Sequence, residues 1–276
     1  MKKIYLGFLL ILVSISLFAD GVLPLGSGTE ADPYQIATLD NLLWVSTNNS
    51  SWSSHFIQTA DIDASDTENW NGGEGFSPMG SNSHPFSATY NGQNYEITNI
   101  YINRPATTAQ SLIRISDGAN FSNLCIVDVD ITGTSLTSVL ISIAENSVIN
   151  NCYSSGTING LDIVGGLIGR ADSCTITNSN STVNCNGEDK VGGLIGEVRY
   201  SSLIDNCFTT GIVSGDGAVG GLIGSIGYTS TINNCYSISD ITAQDNAGGL
   251  AGDFGESEMS GSYFAGSITS AHYAGG

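Results

Sequence analysis

The residues of this sequence best placed to bind a metal ion are aspartates that recur at matching positions. Four successive stretches of similar sequence each place an aspartate five or six residues before a leucine, and these are Asp162, Asp189, Asp216 and Asp245. If the stretches stack as neighbouring strands, about 4.8 Å apart, the carboxylates repel one another unless they splay outward or share a cation. The column predicts either bound calcium or ordinary solvated turns, and a calcium-dependent melting temperature would favour the first.

A second recurring set is aromatic and suits ligand binding. Its members follow a cysteine or its equivalent in successive stretches, and they are Tyr153, Phe208, Tyr236 and Tyr263, with Asn180 interrupting the row. Side chains alternate along a strand, so an inward cysteine leaves this row facing outward. An exposed aromatic row suits stacking on sugars or on a partner protein. The alternative is a structural role, in which the rings stack on one another and stabilise the sheet.

Catalytic motifs find little support. The histidines His55, His84 and His272 are isolated, and none lies in the His-Glu-x-x-His pattern of zinc peptidases. An enzyme acting on acidic sugars would concentrate cations, whereas the basic residues are dispersed along the sequence: Arg104, Arg114, Arg170, Lys190, Arg199. We therefore expect a protein without enzymatic activity. A polysaccharide-active β-helix enzyme that uses paired carboxylates is the alternative.

The six cysteines fit a buried structural role better than disulfides or metal ligation. Cys152, Cys207 and Cys235 share one position of the repeated stretches, where Leu124 also falls, which indicates an interior position. Of the others, Cys185 takes an apolar position, Cys174 replaces a recurrent serine, and Cys125 lies off these positions; no CxxC pattern occurs. We expect small core residues.

Internal repeats predict the fold that positions these residues. The string Gly165-Gly-Leu-Ile-Gly169 returns at Gly192 and Gly220 and, as GGLAG, at Gly248; with Gly275 the first glycines are 27, 28, 28 and 27 residues apart. The repeated leucines are Leu112, Leu140, Leu167, Leu194, Leu222 and Leu250. Each unit holds three short apolar segments, too short for helices. The sequence therefore predicts an all-β fold, a parallel β-helix or β-solenoid with coils of about 27–28 residues and a buried leucine column.

A column of asparagines predicts a corner in each coil. Asn123, Asn151, Asn178, Asn206 and Asn234 precede the position of the cysteines or their equivalents. An inward isoleucine and an inward cysteine lie three residues apart, which strict alternation does not allow. A bend at asparagine, which tolerates the left-handed conformation, resolves the conflict.

Charge and the N-terminal segment predict the compartment. The chain carries 7 basic and 26 acidic residues, a net charge of −19, which disfavours nucleic acid and anionic lipid. Two lysines precede an apolar run that ends near Phe18, which is typical of a secretory signal peptide over residues 1–19. The run is short for a transmembrane span, so we expect an exported chain with no span after cleavage.

The remaining chain divides into two parts by its regularity. Residues 20–110 are irregular and predict an N-terminal cap with the first coils, including a short helix with Thr38 as N-cap and Leu39, Leu42 and Leu43 on one face. Such a helix would shield the apolar end of the first coil. Residues 111–276 hold the repeats and stop inside a GG motif, which predicts a fragment of a longer protein.

The repeats resemble the GLUG-motif family of bacterial proteins, whose units read GGL-[IV]-G followed by an NCY-like strand. The segments Gly26–Ser46, Ala60–Gly80, Phe86–Pro105 and Asp117–Ile126 are similar to the segments that precede the repeats in that family. The stretch Ser138–Ser142 departs from the motif by lacking all three glycines. The resemblance implies a secreted or cell-surface protein with a β-helical stalk or adhesive region. Some members are immunoglobulin A peptidases, but their zinc motif is missing here.

The sequence thus predicts a non-enzymatic, exported surface region. We expect an adhesive or structural solenoid that binds host or environmental glycans or surface proteins. It would need no cofactor, apart from the calcium considered above. The non-catalytic stalk of a surface peptidase is a further alternative, alongside the polysaccharide-active enzyme.

Overall fold

The chain folds as a parallel β-solenoid, as the repeats predict. The computed structural model describes residues 21–275, so the predicted signal peptide lies outside the described residues. Every pair of neighbouring strands in the four sheets is parallel, and each strand pairs with the equivalent strand one coil away. Each repeat passes through the four sheets in the order C, A, B and D, with the letters defined by the strands below.

The strands are short because the chain turns at each corner of the coil. Sheet A comprises Tyr34–Ile36, His55–Gln58, Thr89–Asn91, Asn120–Ser122, Val148–Asn150, Thr175–Thr177, Leu203–Asp205, Thr231–Asn233 and Glu258–Ser260. Sheet B comprises Ile62–Asp63, Glu96–Thr98, Tyr101–Asn103, Cys125–Thr132, Tyr153–Asn159, Asn180–Ser181, Asn184–Asn186, Phe208–Thr209, Ile212–Gly215, Tyr236–Ser237, Asp240–Ala243, Tyr263–Phe264 and Ser267–Ser270. Sheet C comprises Ile113–Asp117, Ile141–Glu145, Ile168–Asp172, Ile195–Arg199, Ile223–Ile226 and Ala251–Phe254. Sheet D comprises Thr137–Ser138, Asp162–Gly165, Asp189–Gly192, Val219–Gly220, Asn246–Gly248 and Tyr273–Gly275.

The leucine column is buried between sheets D and C. Leu140, Leu167, Leu194 and Leu222 are fully buried, Leu112 almost so, and Leu250 half-buried against the core. Backbone amides of successive members donate to the carbonyl of the next leucine, for example Leu167 to Leu194 at 2.8 Å. The flanking glycines have no room for a side chain, since a Cβ on Gly193 would lie 2.3 Å from the Gly221 carbonyl oxygen. The predicted ladder and its close backbone approach are confirmed.

Two left-handed corners shape each coil. The asparagine column forms the corner between sheets A and B, and all five members have φ between 52° and 54°. The amide side chains bond along the axis, as Asn151 does to Asn123 at 2.7 Å and Asn206 to Asn178 at 2.6 Å. The second left-handed corner joins sheets C and A, at Asn146, Ser173 and Ser201 among others.

Serine and cysteine recur at the position that follows each corner because the side chain at this position forms a hydrogen bond along the solenoid axis. The side chain accepts this bond from the backbone amide of the equivalent residue in the preceding coil. Cys152 N donates to Ser179 Oγ at 3.1 Å, and Cys235 N donates to Ser262 Oγ at 3.1 Å. A small polar side chain thus satisfies an amide that the corner removes from the sheet ladder.

A nine-residue helix, Leu39–Thr47, covers the first coils, and Thr38 caps it through its side chain, which accepts from the Asn41 amide. The predicted buried face is wrong in detail. Leu42 is buried and Leu39 is half-buried against the core as predicted, but Leu43 is half-exposed, and Asn41 and Val45 are buried, with the Asn41 side-chain amide donating to the Val22 carbonyl. Short 3₁₀ segments follow at Asn49–Ser51 and Ser65–Gly73, the second broken by a kink at residues 70–72.

Candidate ligand-binding surface

The predicted aromatic row lies on the outer face of sheet B, directly after the asparagine corner. Strand pairing places Tyr153, Asn180, Phe208, Tyr236 and Tyr263 opposite one another in successive coils. The preceding residues, Cys152, Cys207 and Cys235 among them, point into the core. The structure therefore has the predicted alternation, in which the cysteine points inward and the aromatic residue that follows it points outward.

Three of the four rings stack on one another along the solenoid axis. The ring centroids of Phe208 and Tyr236 lie 4.9 Å apart with planes 3° from parallel, and those of Tyr236 and Tyr263 lie 5.2 Å apart at 8°. These separations are those of offset stacking, in which each ring covers only part of the next face. Tyr153 stands apart beyond Asn180, and its hydroxyl lies 2.9 Å from Thr182 Oγ1. The rings thus stack on one another across the coils, and their outer edges remain available to contact a ligand.

Two exposed isoleucines widen the row into an apolar strip. Ile212, which begins the sheet B strand Ile212–Gly215, is 51% exposed, and Ile238, which follows the strand Tyr236–Ser237, is 47% exposed; Tyr263 is 55% exposed. We call Phe208, Tyr236, Tyr263, Ile212 and Ile238 the aromatic strip. Several exposed apolar groups on one side of a protein are typical of a surface that contacts a ligand.

The aspartate column is divided by the strand register. Asp162 pairs with Asp189, but Val191 pairs with Val219, so the residue opposite Asp189 is Gly217 and not Asp216. Asp216 lies one position away and accepts a bond from the Gln244 amide at 2.7 Å. Within residues 21–275 no three His, Cys, Asp or Glu side chains form a group that could hold a metal ion. Calcium binding stays a prediction, carried at most by the Asp162–Asp189 pair.

A cation already lies beside that aspartate pair. Lys190 Nζ bonds Glu197 Oε1 at 2.9 Å, and its charge also acts on Asp162 and Asp189. Desolvation by burial nevertheless raises the pKa of Asp162, and the negative charges of Asp189 and Glu197 add to the effect. Ionised Asp162 is therefore disfavoured in the folded protein, and the positive charge of Lys190 offsets this only in part.

Two of the basic residues that are dispersed in the sequence are brought together by the fold. Arg170 and Arg199 meet at Asp172 in sheet C, whereas Lys190 of sheet D bonds Glu197 of sheet C. Arg199 binds Asp172 with two hydrogen bonds, Nε to Oδ1 at 2.9 Å and Nη2 to Oδ2 at 3.0 Å. Arg170 bonds the same carboxylate at 3.1 Å. The 27-residue spacing of Asp172 and Arg199 was the signal in the sequence, since it places them in register.

Most of the cysteines are buried, and burial makes Cys152 and Cys174 unreactive. All six are free thiols, and five are buried, while Cys125 is half-buried. Burial raises the pKa of Cys152 to about 12 and that of Cys174 to about 11. A thiol that stays protonated at neutral pH is a poor nucleophile and a poor metal ligand. The interior role that the repeat pattern predicts for the column is confirmed.

Comparison with known proteins supports the fold. No family model matches the sequence. The chain is 31% identical to halomucin of Haloquadratum walsbyi over 135 residues, which are 48% of this chain and 1% of that protein. The chain thus spans only about one hundredth of the length of this relative. In structure it is similar to a Bacteroides ovatus protein described provisionally as an immunoglobulin A1 protease, with a TM-score of 0.70, 20% identity, and coverage of 89% of this chain and 79% of the other.

Across residues 21–275, no helix has both the length and the apolar character needed to cross a bilayer.

Proposed function

We propose that this chain is a non-enzymatic region of an exported, surface-displayed protein, in which the solenoid holds a binding surface away from its point of attachment. The aromatic strip carries the proposal. A structural rod alone needs no exposed Ile212 and Ile238 beside stacked rings, since polar side chains at those positions would keep the sheet soluble. The match to a protein named halomucin supports an extracellular setting.

The partner we propose for the aromatic strip is a neutral glycan or an uncharged protein surface. Tyrosine hydroxyls and apolar ring edges suit the mixed polar and apolar faces of sugars. The net charge of −19 disfavours sulfated or uronic-acid polymers. We further propose that the chain belongs to the GLUG-motif proteins, on the strength of its repeated GGLIG units.

A glycan array probed with the exported chain tests the binding proposal, with soluble products assayed in parallel. Binding without released oligosaccharide is the expected result. A double variant, Tyr236→Ser with Ile238→Ser, should lose binding because it removes the centre of the strip. Val148→Ser is the matched control, since Val148 is also an exposed apolar residue, on the other side of the asparagine corner in sheet A.

The stalk of a surface peptidase is a second candidate, favoured by the likeness to the Bacteroides ovatus protein. In that case the same rod would space a catalytic domain from the cell. A His-Glu-x-x-His segment encoded by the same gene outside residues 1–276 would support this candidate. Its absence from the complete gene would end it.

A further inference from the structure

The corner between sheets C and A departs from the repeat in two successive coils. One residue separates Asp172 from Cys174, but two separate Arg199 from Ser202, and two again separate Gly227 from Ser230. The inserted residue is a tyrosine in both coils, Tyr200 and Tyr228. Their rings stack with centroids 5.3 Å apart and planes 18° from parallel.

The first of these tyrosines already has a guanidinium beside it. Arg199 Cζ lies 5.0 Å from the centroid of the Tyr200 ring while Asp172 holds the same guanidinium through two hydrogen bonds. Ring and carboxylate together satisfy both features of a guanidinium, its polarizable plane and its row of donors.

The second tyrosine lacks this cation, and a cleft lies in its place. The position equivalent to Arg199 in the next coil is Gly227. A cleft of about 390 Å³ opens there, between Glu197 and Arg199 on one side and Asp253 and Glu256 on the other, with Tyr228 in its wall. A Cβ built on Gly227 meets nothing within 4 Å. We call this space the corner cleft.

The charge of the corner cleft favours a cation. Arg199 is neutralised by Asp172, and Glu197 is paired with Lys190. Asp253 accepts only a bond from Ser225 Oγ at 3.4 Å, and no ion pair in residues 21–275 engages Asp253 or Glu256. Two uncompensated carboxylates thus share a cleft with Tyr228, which is 61% exposed.

We propose that the corner cleft binds the guanidinium group of an arginine side chain from a partner polypeptide. The incoming group lies beside Tyr228 as Arg199 lies beside Tyr200, but its donors point toward Asp253 and Glu256 in the following coil, whereas Arg199 bonds Asp172 in the preceding one. Guanidinium is preferred over ammonium because only the planar group matches ring and carboxylate together. The site is separate from the aromatic strip, which lies beyond the sheet A strand, and does not depend on its role.

The test is an NMR titration of the full chain, expressed for export, with acetyl-Gly-Arg-Gly-amide and its lysine counterpart. Single-charge peptides avoid the non-specific attraction that a polycation would have for this acidic chain. We expect shifts at the Gly227 and Tyr228 amides with the arginine peptide and several-fold weaker binding of the lysine peptide. Asp253→Asn should weaken binding at least about tenfold, since a charge-assisted pair is lost. Asp130→Asn, the same charge change on the exposed face of sheet B, should leave it unchanged.

Gly227→Arg is the decisive variant, because it supplies the guanidinium from within the chain. It should abolish binding of the arginine peptide, whereas Gly227→Ala should retain it. If Gly227→Arg fails to fold, the Asp253→Asn result decides instead. Equal binding of the two peptides, binding that survives a folded Gly227→Arg variant, or tighter binding of a glucosamine oligomer than of the arginine peptide would each overturn the proposal.

Discussion

The leucine side of the coil and the corner between sheets C and A follow opposite rules. The leucine column keeps its residue type through six coils, while the corner reads Gly118, Asn146, Ser173, Tyr200-Ser201, Tyr228-Thr229 and Glu256 in turn. An interior side chain packs against its own copies above and below, so its size is fixed by both neighbours. From Gly118 to Thr229 the corner needs only a left-handed backbone, and its side chains are free to differ. Features carried by only one or two coils, such as the corner cleft, are therefore to be sought at this corner.

Among the variants that test this contrast, Leu194→Asp should have the largest effect on stability. Leu194 is fully buried between two other leucines of the column, and an unpaired carboxylate there has no partner. We expect the surrounding coils to unfold, seen as loss of the cooperative melt in circular dichroism. Thr229→Asn, at an exposed left-handed corner position, should melt like the wild type. Equal melting of the two variants would contradict the contrast.

A somewhat smaller effect is expected from Gly193→Val. The added side chain would collide with the Gly221 backbone, which cannot move without separating the coils. We expect a loss of about 3 kcal/mol in the free energy of unfolding, measured in urea. The matched change Gly227→Ala, where the space is open, should be neutral within about 0.5 kcal/mol. A neutral Gly193→Val would show that the glycines serve another purpose.

Asp172→Asn tests the outer side of sheet C and should lower the free energy of unfolding by less than Gly193→Val does. The substitution removes the carboxylate that Arg170 and Arg199 share across two coils. Because the arginines are only partly buried, we expect a loss of about 1–2 kcal/mol, between the values for exposed and buried pairs. The difference from wild type should shrink in 1 M salt. A cost that is independent of salt would point to packing instead.

The smallest effect, and of opposite sign, is expected from Asp162→Asn. Burial raises the pKa of Asp162 in the folded state, so its ionised form is disfavoured on folding. The penalty is present above the folded pKa and disappears as the pH falls below the unfolded value. The variant should melt slightly higher than wild type at pH 7 and at the same temperature near pH 3. A lower melting temperature at pH 7 would mean that the Lys190 contact outweighs the desolvation.

The sequence predicts the interior better than the surface. Leucine spacing, the asparagine corner and the buried cysteines all follow from a residue type repeated at one period. The meeting of Arg199 with Asp172 was missed because it depends on register, which a list of charged residues does not contain. Asp216 was placed in the wrong row because it lies six residues before its leucine and not five, so that in register it falls opposite Glu188 and not opposite Asp189. The helix face was predicted only in part, since Leu39 and Leu42 pack on the core but the burial of Asn41, which bonds the Val22 carbonyl, was missed.

Binding by the aromatic strip is the central functional claim, and binding of the chain to a neutral polysaccharide surface tests it most directly. The experiment measures bound protein and soluble sugar together, for the wild type and for the Tyr236→Ser, Ile238→Ser double variant. The account predicts saturable binding by the wild type, no released oligosaccharide, and loss of binding in a variant that still melts cooperatively. Released oligosaccharide, or binding that survives the double substitution, would contradict it.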